Sequence, residues 1–138
     1  MAAAIETHSA TSDPAEGDSS AQRTRRITSC RSRRSTLTDT QQDTWDRRWP
    51  ELGTQARWAD RAAGLLDAED WFGRRAPLIL EIGCGTGTST LAMAQAEPDT
   101  NVIAVEVYRR GLAQLLSGID RHDVTNIRMI RGDAVDVL

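Results

Sequence analysis

The spacing of hydrophobic positions changes twice along this chain. Through about residue 36, Ser, Thr, Ala and Arg dominate and large apolar side chains are scarce. Such a stretch cannot repay the entropy of ordering itself, so residues 1–36 are expected to form a disordered tail. Beyond it, Thr38 or Asp39 can cap a short helix that places Trp45 and Trp49, four apart, on one face. Pro50 is expected to end that helix and Gly53 to provide a turn. From Gln55 to Asp67, the residues Trp58, Ala59, Ala62, Ala63, Leu65 and Leu66 recur at helical spacing.

After Gly73 the period shortens. Pro77 to Ile82 is an apolar run suited to a buried strand, and Gly83 to Gly87 is a glycine loop. A helix is predicted over about 88–96, stopped by Pro98. The branched residues of 101–105 predict a second strand that ends at Glu106. Leu112, Leu115 and Leu116 mark a helix over 109–117, with Gly118 near its end. A third strand is expected over 126–130, and the loop Arg131-Gly132-Asp133 leads into one helical turn ending at Leu138. The order β-α-β-α-β, with right-handed crossovers, implies an α/β fold with a parallel sheet.

Charge changes this picture locally. The net charge is −3 over 138 residues, and every basic residue is an arginine. Residues 1–20 hold acids and no arginine, whereas Arg23, Arg25, Arg26, Arg31, Arg33 and Arg34 follow without an acid among them. Cys30 and Cys84 sit in unlike contexts, and with His8 and His122 they show no metal-ligand spacing. Neither a membrane-spanning apolar run nor a secretory leader is legible, so a cytoplasmic setting is expected.

The chemistry concentrates in Glu81-Ile82-Gly83-Cys84-Gly85-Thr86-Gly87. A glycine loop between a strand and a helix lies where doubly wound sheets bind nucleotides. Its GxGxG spacing departs from the dinucleotide fingerprint GxGxxG, and a phosphate-binding Walker loop would need a lysine, which the chain lacks. A carboxylate beside the glycines suits a ligand with a ribose diol and a cation, such as S-adenosylmethionine, better than a pyrophosphate. Glu106, at the end of the second strand, can accept both ribose hydroxyls, and Asp133 after the third can reach the adenine edge. Together Glu81, Glu106 and Asp133 would form a negative mouth for a cationic cofactor. Cys84 is expected to face the ligand rather than to act as a nucleophile.

The loop resembles that of class I methyltransferases, which carry E-x-G-x-G-x-G. More narrowly, the chain is similar to the bacterial tRNA (guanine-N7-)-methyltransferases. The resemblance rests on Arg33-Arg34 with Leu37-Thr38, on Trp49-Pro50 with Gly53, and on Leu80 to Gly85. Val105-Glu106-Val107 with Gly111, Asn126-Ile127-Arg128 and Asp133-Ala134-Val135 extend it. It implies a Rossmann-like methyltransferase domain whose N-terminal part occupies 37–138, ending after the third strand. It also implies methyl transfer from S-adenosylmethionine to guanine N7 in the variable region of tRNA. Glu81, Gly83, Gly85, Gly87, Glu106 and Asp133 would bind the cofactor, and Arg23 to Arg34 would meet the RNA. The family continues with a fourth strand and a Pro-Asp-Pro-Trp segment not found here, so this stretch alone is expected to be inactive. The competing readings are another class I methyltransferase and a non-catalytic truncated product.

Overall fold

The computed structural model describes residues 36–56 and 66–138, all within the unit Arg31–Leu138. The expected tail up to residue 35, the basic segment Arg23 to Arg34 and most of the expected helix from Gln55 to Asp67 lie outside the described residues.

Helix α1 (Asp39–Leu52) starts at a reciprocal cap: Thr38 Oγ1 accepts the Gln41 amide, and Gln41 Oε1 accepts the Thr38 amide. Pro50 does not end it. The helix runs on to Leu52 because the Gly53 N–H closes onto the Trp49 carbonyl and Leu52 is buried in the core. Gly53 is no turn either. It opens strand β1 (Gly53–Gln55) in extended backbone, pressed so closely on the Trp49 ring that a Cβ would run into it. The expected helix therefore does not begin at Gln55, whose backbone pairs with Arg131. Asp67 caps a short helix α2 (Ala68–Phe72), which Gly73 closes in the left-handed conformation.

The remaining elements alternate: β2 (Leu78–Ile82), α3 (Thr88–Ala96), β3 (Asn101–Glu106), α4 (Arg109–His122), β4 (Ile127–Arg131) and α5 (Ala134–Val137). The four strands form one parallel sheet in the order β1-β4-β3-β2, so the three expected strands are joined by a fourth, β1. Gly118 does not end α4. It lies inside the helix, where a Cβ would meet the Leu91 side chain at 2.9 Å, and the helix ends instead at Asp123 with φ 56°.

One sheet face is covered by α1, α3 and α4. Val102, Ala104, Ile127 and Met129 of the strands meet Leu112, Leu115, Leu116 and Ile119 of α4 there, all essentially buried. Each of these side chains but the small Ala104 contributes about 1.5–3 kcal/mol relative to exposure. Helix α1 lies along α4, held by Arg47, whose two terminal nitrogens donate to the Asp120 carboxylate at 3.0 and 2.9 Å. That hydrogen bond, opposed by some desolvation, lowers the Asp120 pKa below the usual carboxylate range. Asn126 fastens the end of α3 to β4 by donating from its side-chain nitrogen to the carbonyls of Ala94, Glu97 and Thr100.

The opposite face packs Ile103, Val105 and Ile130 against Ala56, Trp71, Phe72 and Val137. That cover does not extend over β2, which departs from the buried strand expected. Leu78, Leu80 and Ile82 are 48%, 38% and 45% exposed, and among the described residues β2 is paired only to β3. No described helix is long and apolar enough to cross a membrane.

Candidate cofactor-binding site

The turn after β2 is pinned to the neighbouring strand. Both the Gly83 and Cys84 amides donate to the Val105 carbonyl, at 2.8 and 3.1 Å, and the Gly87 amide closes onto the Cys84 carbonyl at 2.9 Å. This path requires left-handed backbone at Gly83, Gly85 and Gly87, with φ of 74°, 59° and 78°. The three glycines nevertheless serve different surroundings. A Cβ at Gly83 or Gly85 would meet nothing within 4 Å, so a ligand can approach the backbone there. A Cβ at Gly87 would press on Leu115 of α4 at 2.5–2.8 Å, so that glycine is required by packing.

Glu106 ends β3 beside this loop. Its Oε1 accepts the amides of Val107 and Tyr108 at 2.7 and 3.1 Å, and Oε2 accepts the amide of Gly85 at 2.9 Å. The residue is buried, yet three N–H donors compensate a carboxylate well. Asp133 stands across an open cleft, capping α5 through its Oδ1, which accepts the Val135 amide at 3.0 Å. The Gly132 amide donates to the Glu106 carbonyl at 3.1 Å and so ties the loop after β4 to the end of β3. Gly83, Glu106 and Asp133 line the cleft, with Ile82, Val107 and Ala134 as its apolar walls.

Glu81 is placed differently. Strand alternation puts it on the Ala104 face, where Thr90 Oγ1 donates a hydrogen bond to its carboxylate. Glu106 and Asp133 therefore share the cleft, while Glu81 is directed at the start of α3 and is absent from the cleft lining. Cys84 does not face the cleft as expected but packs against the core. Burial, joined by the charges of Glu106 and Glu81, pushes its thiol pKa up to about 12, which withholds the thiolate a nucleophile needs. Among the described residues no cluster of His, Cys, Asp and Glu could hold a metal ion. Sequence reasoning missed the walls Val107 and Ala134. Their apolar character beside two acids is the available signal, and it is masked by strand and helix periodicity. The RNA-binding candidates Arg23, Arg25, Arg26, Arg31, Arg33 and Arg34 lie outside the described residues.

The parallel sheet and its helices define an α/β protein, and the acid-flanked glycine turn stands at the carboxyl ends of the strands, where such sheets bind ligands. Comparison with known proteins narrows the class. Residues 75–138 match the family described as putative methyltransferase. The chain is 74% identical over 120 residues to a tRNA (guanine-N(7)-)-methyltransferase of Mycobacterium sp. (strain KMS), covering 86% of this chain and 44% of that protein. It is 62% identical over 132 residues to the protein of that name from Mycobacterium avium (strain 104), covering 94% and 51%. For the one from Rhodococcus jostii (strain RHA1) the identity is 62% over 113 residues, covering 82% and 42%. The chain thus spans about half the length of these relatives. Over that span the chain is similar to tRNA (guanine-N(7)-)-methyltransferases, and its C-terminal part matches the putative methyltransferase family.

Proposed function

We propose that this chain forms the cofactor-binding half of a tRNA (guanine-N7-)-methyltransferase and holds S-adenosylmethionine by its adenosine. The observation that carries the reading is the placement of the Glu106 carboxylate beside two glycines, Gly83 and Gly85, whose open side would be filled by any Cβ. The remaining lone pairs of Glu106 suit ribose hydroxyls, and Asp133 suits the adenine amino group. Ile82, Val107 and Ala134 supply apolar walls for the base. Glu81, bonded to Thr90, acts in this reading on the methionine side of the loop, where its charge favours an ammonium group.

When bound, the cofactor supplies a methyl group on a positively charged sulfur. Guanine N7 already carries a lone pair, so the transfer needs no proton abstraction and no covalent enzyme intermediate. The demand on the chain is positional: to hold the adenosine rigidly so that the methyl lies in line with N7. A protonated, inward-packed Cys84 accords with that economy. Arg23, Arg25, Arg26, Arg31, Arg33 and Arg34 are proposed to meet tRNA phosphates. Their removal should flatten the salt dependence of tRNA binding by about 0.7 in log–log slope for each phosphate left unneutralised.

The open cleft and the uncovered β2 face favour a further reading, that these residues by themselves bind cofactor but transfer little or no methyl group. Calorimetric titration with S-adenosylhomocysteine, run beside a methyl-transfer assay on unmodified tRNA, tests both. Saturable binding, abolished by Glu106→Ala, with no transfer is the expected result. A folded chain that binds no S-adenosylhomocysteine would overturn the cofactor reading, and transfer to a small molecule or protein instead of tRNA would overturn the substrate.

A further inference from the structure

The third residue of α4, Gly111, has no cofactor-facing position, yet its missing side chain shapes the site. A Cβ built there would run into the carbonyl oxygen of Gly85, with the Gly85 carbonyl carbon at 3.0 Å and Glu106 Cγ at 3.5 Å. The amide of the same Gly85 donates to Glu106 Oε2 at 2.9 Å. Gly85 is therefore held from both sides, its N–H by the carboxylate at the end of β3 and its carbonyl by the hollow that Gly111 leaves at the start of α4.

We propose that Gly111 is a positioning residue of the cofactor site, which seats the glycine loop close enough for Gly85 to orient the carboxylate of Glu106. This inference rests on the cofactor reading above. The neighbouring group is backbone, so an added methyl group cannot be accommodated by a rotamer change, and the loop must withdraw. Withdrawal breaks the bond from Gly85 to Glu106 and leaves the carboxylate free to turn, although nothing that touches the ligand has been replaced. The other glycine of α4 provides the contrast. A Cβ at Gly118 meets the end of the Leu91 side chain, which can move aside. Alanine is the better helix former at both positions, so propensity cannot account for a difference between them.

The test compares Gly111→Ala with Gly118→Ala in the full 138-residue chain. S-adenosylhomocysteine is expected to bind Gly111→Ala at least about tenfold more weakly and Gly118→Ala within about twofold of the parent. Amide hydrogen exchange without ligand gives the readout that a general loss of stability would not reproduce. The Gly85 amide should exchange about tenfold faster in Gly111→Ala while the amides of Leu115 and Leu116 keep their protection. Should Gly111→Ala fail to fold, the parent decides: its Gly85 amide must exchange more slowly than that of exposed Thr86 and lose this protection in Glu106→Ala. Equal exchange of Gly85 and Thr86, or undiminished ligand affinity in Gly111→Ala, would overturn the proposal. Because the exchange is measured without ligand, a parent that bound no S-adenosylhomocysteine would count against the cofactor reading alone.

Discussion

The guanidinium of Arg109, at the first position of α4, lies 4.8 Å from the ring centre of Trp45 in α1. Trp45 in turn stacks on Trp49 with ring centres 4.1 Å apart and planes within 10°. Helix α1 is thus joined to the start of α4 by a cation over an aromatic pair and by Arg109 donating to Gln42 Oε1 at 3.1 Å, and to the last turn of α4 by Arg47 on Asp120. Trp45 is buried in the main core, so Trp45→Ala should destabilise the chain by about 3 kcal/mol or more, most of it from the packing removed. Arg109→Ala should cost about 0.5–1 kcal/mol, and the double variant should fall short of the sum by a similar amount. Urea unfolding of the four proteins measures this coupling. Strict additivity would remove the cation–aromatic contact from the account of how α1 is held, leaving Arg109 its bond to Gln42.

Asn126 offers a sharper test of polar satisfaction. Its side-chain nitrogen faces three carbonyl oxygens at 2.9–3.1 Å, and the residue is buried. Asn126→Asp preserves the shape but replaces the donor with an acceptor, so its ionised form is disfavoured and its folded-state pKa must lie above the unfolded value. The sign follows: the penalty is smallest below the ordinary carboxylate pKa, where the carboxyl can still donate one proton, and grows as pH rises through the raised folded value. Relative to Asn126→Ala, Asn126→Asp should therefore lose stability between about pH 4 and 7, by some 1–3 kcal/mol at neutrality. Parallel stability curves for the two variants would show that the three carbonyls exert no such demand.

The contrast between what could and could not be foreseen has a physical pattern. The path from β2 through the glycine turn to Glu106 was legible because branched apolar runs bounded by Gly and Pro mark strand ends, and a strand end fixes where an acid can stand. Strand β1 was not. Gly53-Thr54-Gln55 is too short to alternate, and it exists only through its pairing with Met129 to Arg131, far along the chain. Gly118 is ambiguous for a related reason. A glycine in a helical pattern signals either an end or a close approach, and the partner Leu91 that decides between them lies on another helix. The apolar run of β2 expresses a demand for burial without saying whether a neighbour will meet it. Strand alternation puts Glu81 and Glu106 on the same side of the sheet, and they part only through their partners: Glu81 accepts from Thr90, whereas Glu106, last in β3, accepts the amides of Gly85, Val107 and Tyr108.

Cys84 should be among the slowest of thiols despite its place in the turn. In a Cys30→Ser background, alkylation at pH 8 should be at least about a hundredfold slower than for a free cysteine, because the thiol pKa near 12 leaves little thiolate. The linkage runs in one direction. The unfolded thiol ionises near its ordinary value while the folded one stays protonated, so this group's share of stability is intact below about pH 8.5 and is lost as pH rises towards 12. Cys84→Ala should leave affinity for S-adenosylhomocysteine within about twofold, since the side chain packs on the core and its contact with the loop is a long thiol hydrogen bond to the Gly85 carbonyl at 3.9 Å. Rapid labelling of the folded chain at pH 8 would refute the assignment.

The β2 strand bears on how the chain behaves at high concentration. Leu78 and Leu80 lie on one face, both more than a third exposed, along a strand that is paired only to β3 among the described residues. An apolar strand with an open hydrogen-bonding edge is a template for another chain, and natural edges are commonly blunted with charge. Leu78→Lys with Leu80→Lys should therefore suppress self-association, read as a fall in light scattering at a fixed protein concentration. Neither residue lines the cleft, whose only β2 member is Ile82, so cofactor affinity should change by no more than about twofold. The pair also separates two physical causes of association. If the apolar face drives it, Leu80→Lys alone gives most of the effect, whereas an edge-pairing mechanism responds more to Leu80→Pro, which removes a backbone donor on the side of the strand turned away from β3. Scattering that none of these substitutions lowers would place the sticky surface elsewhere on the molecule.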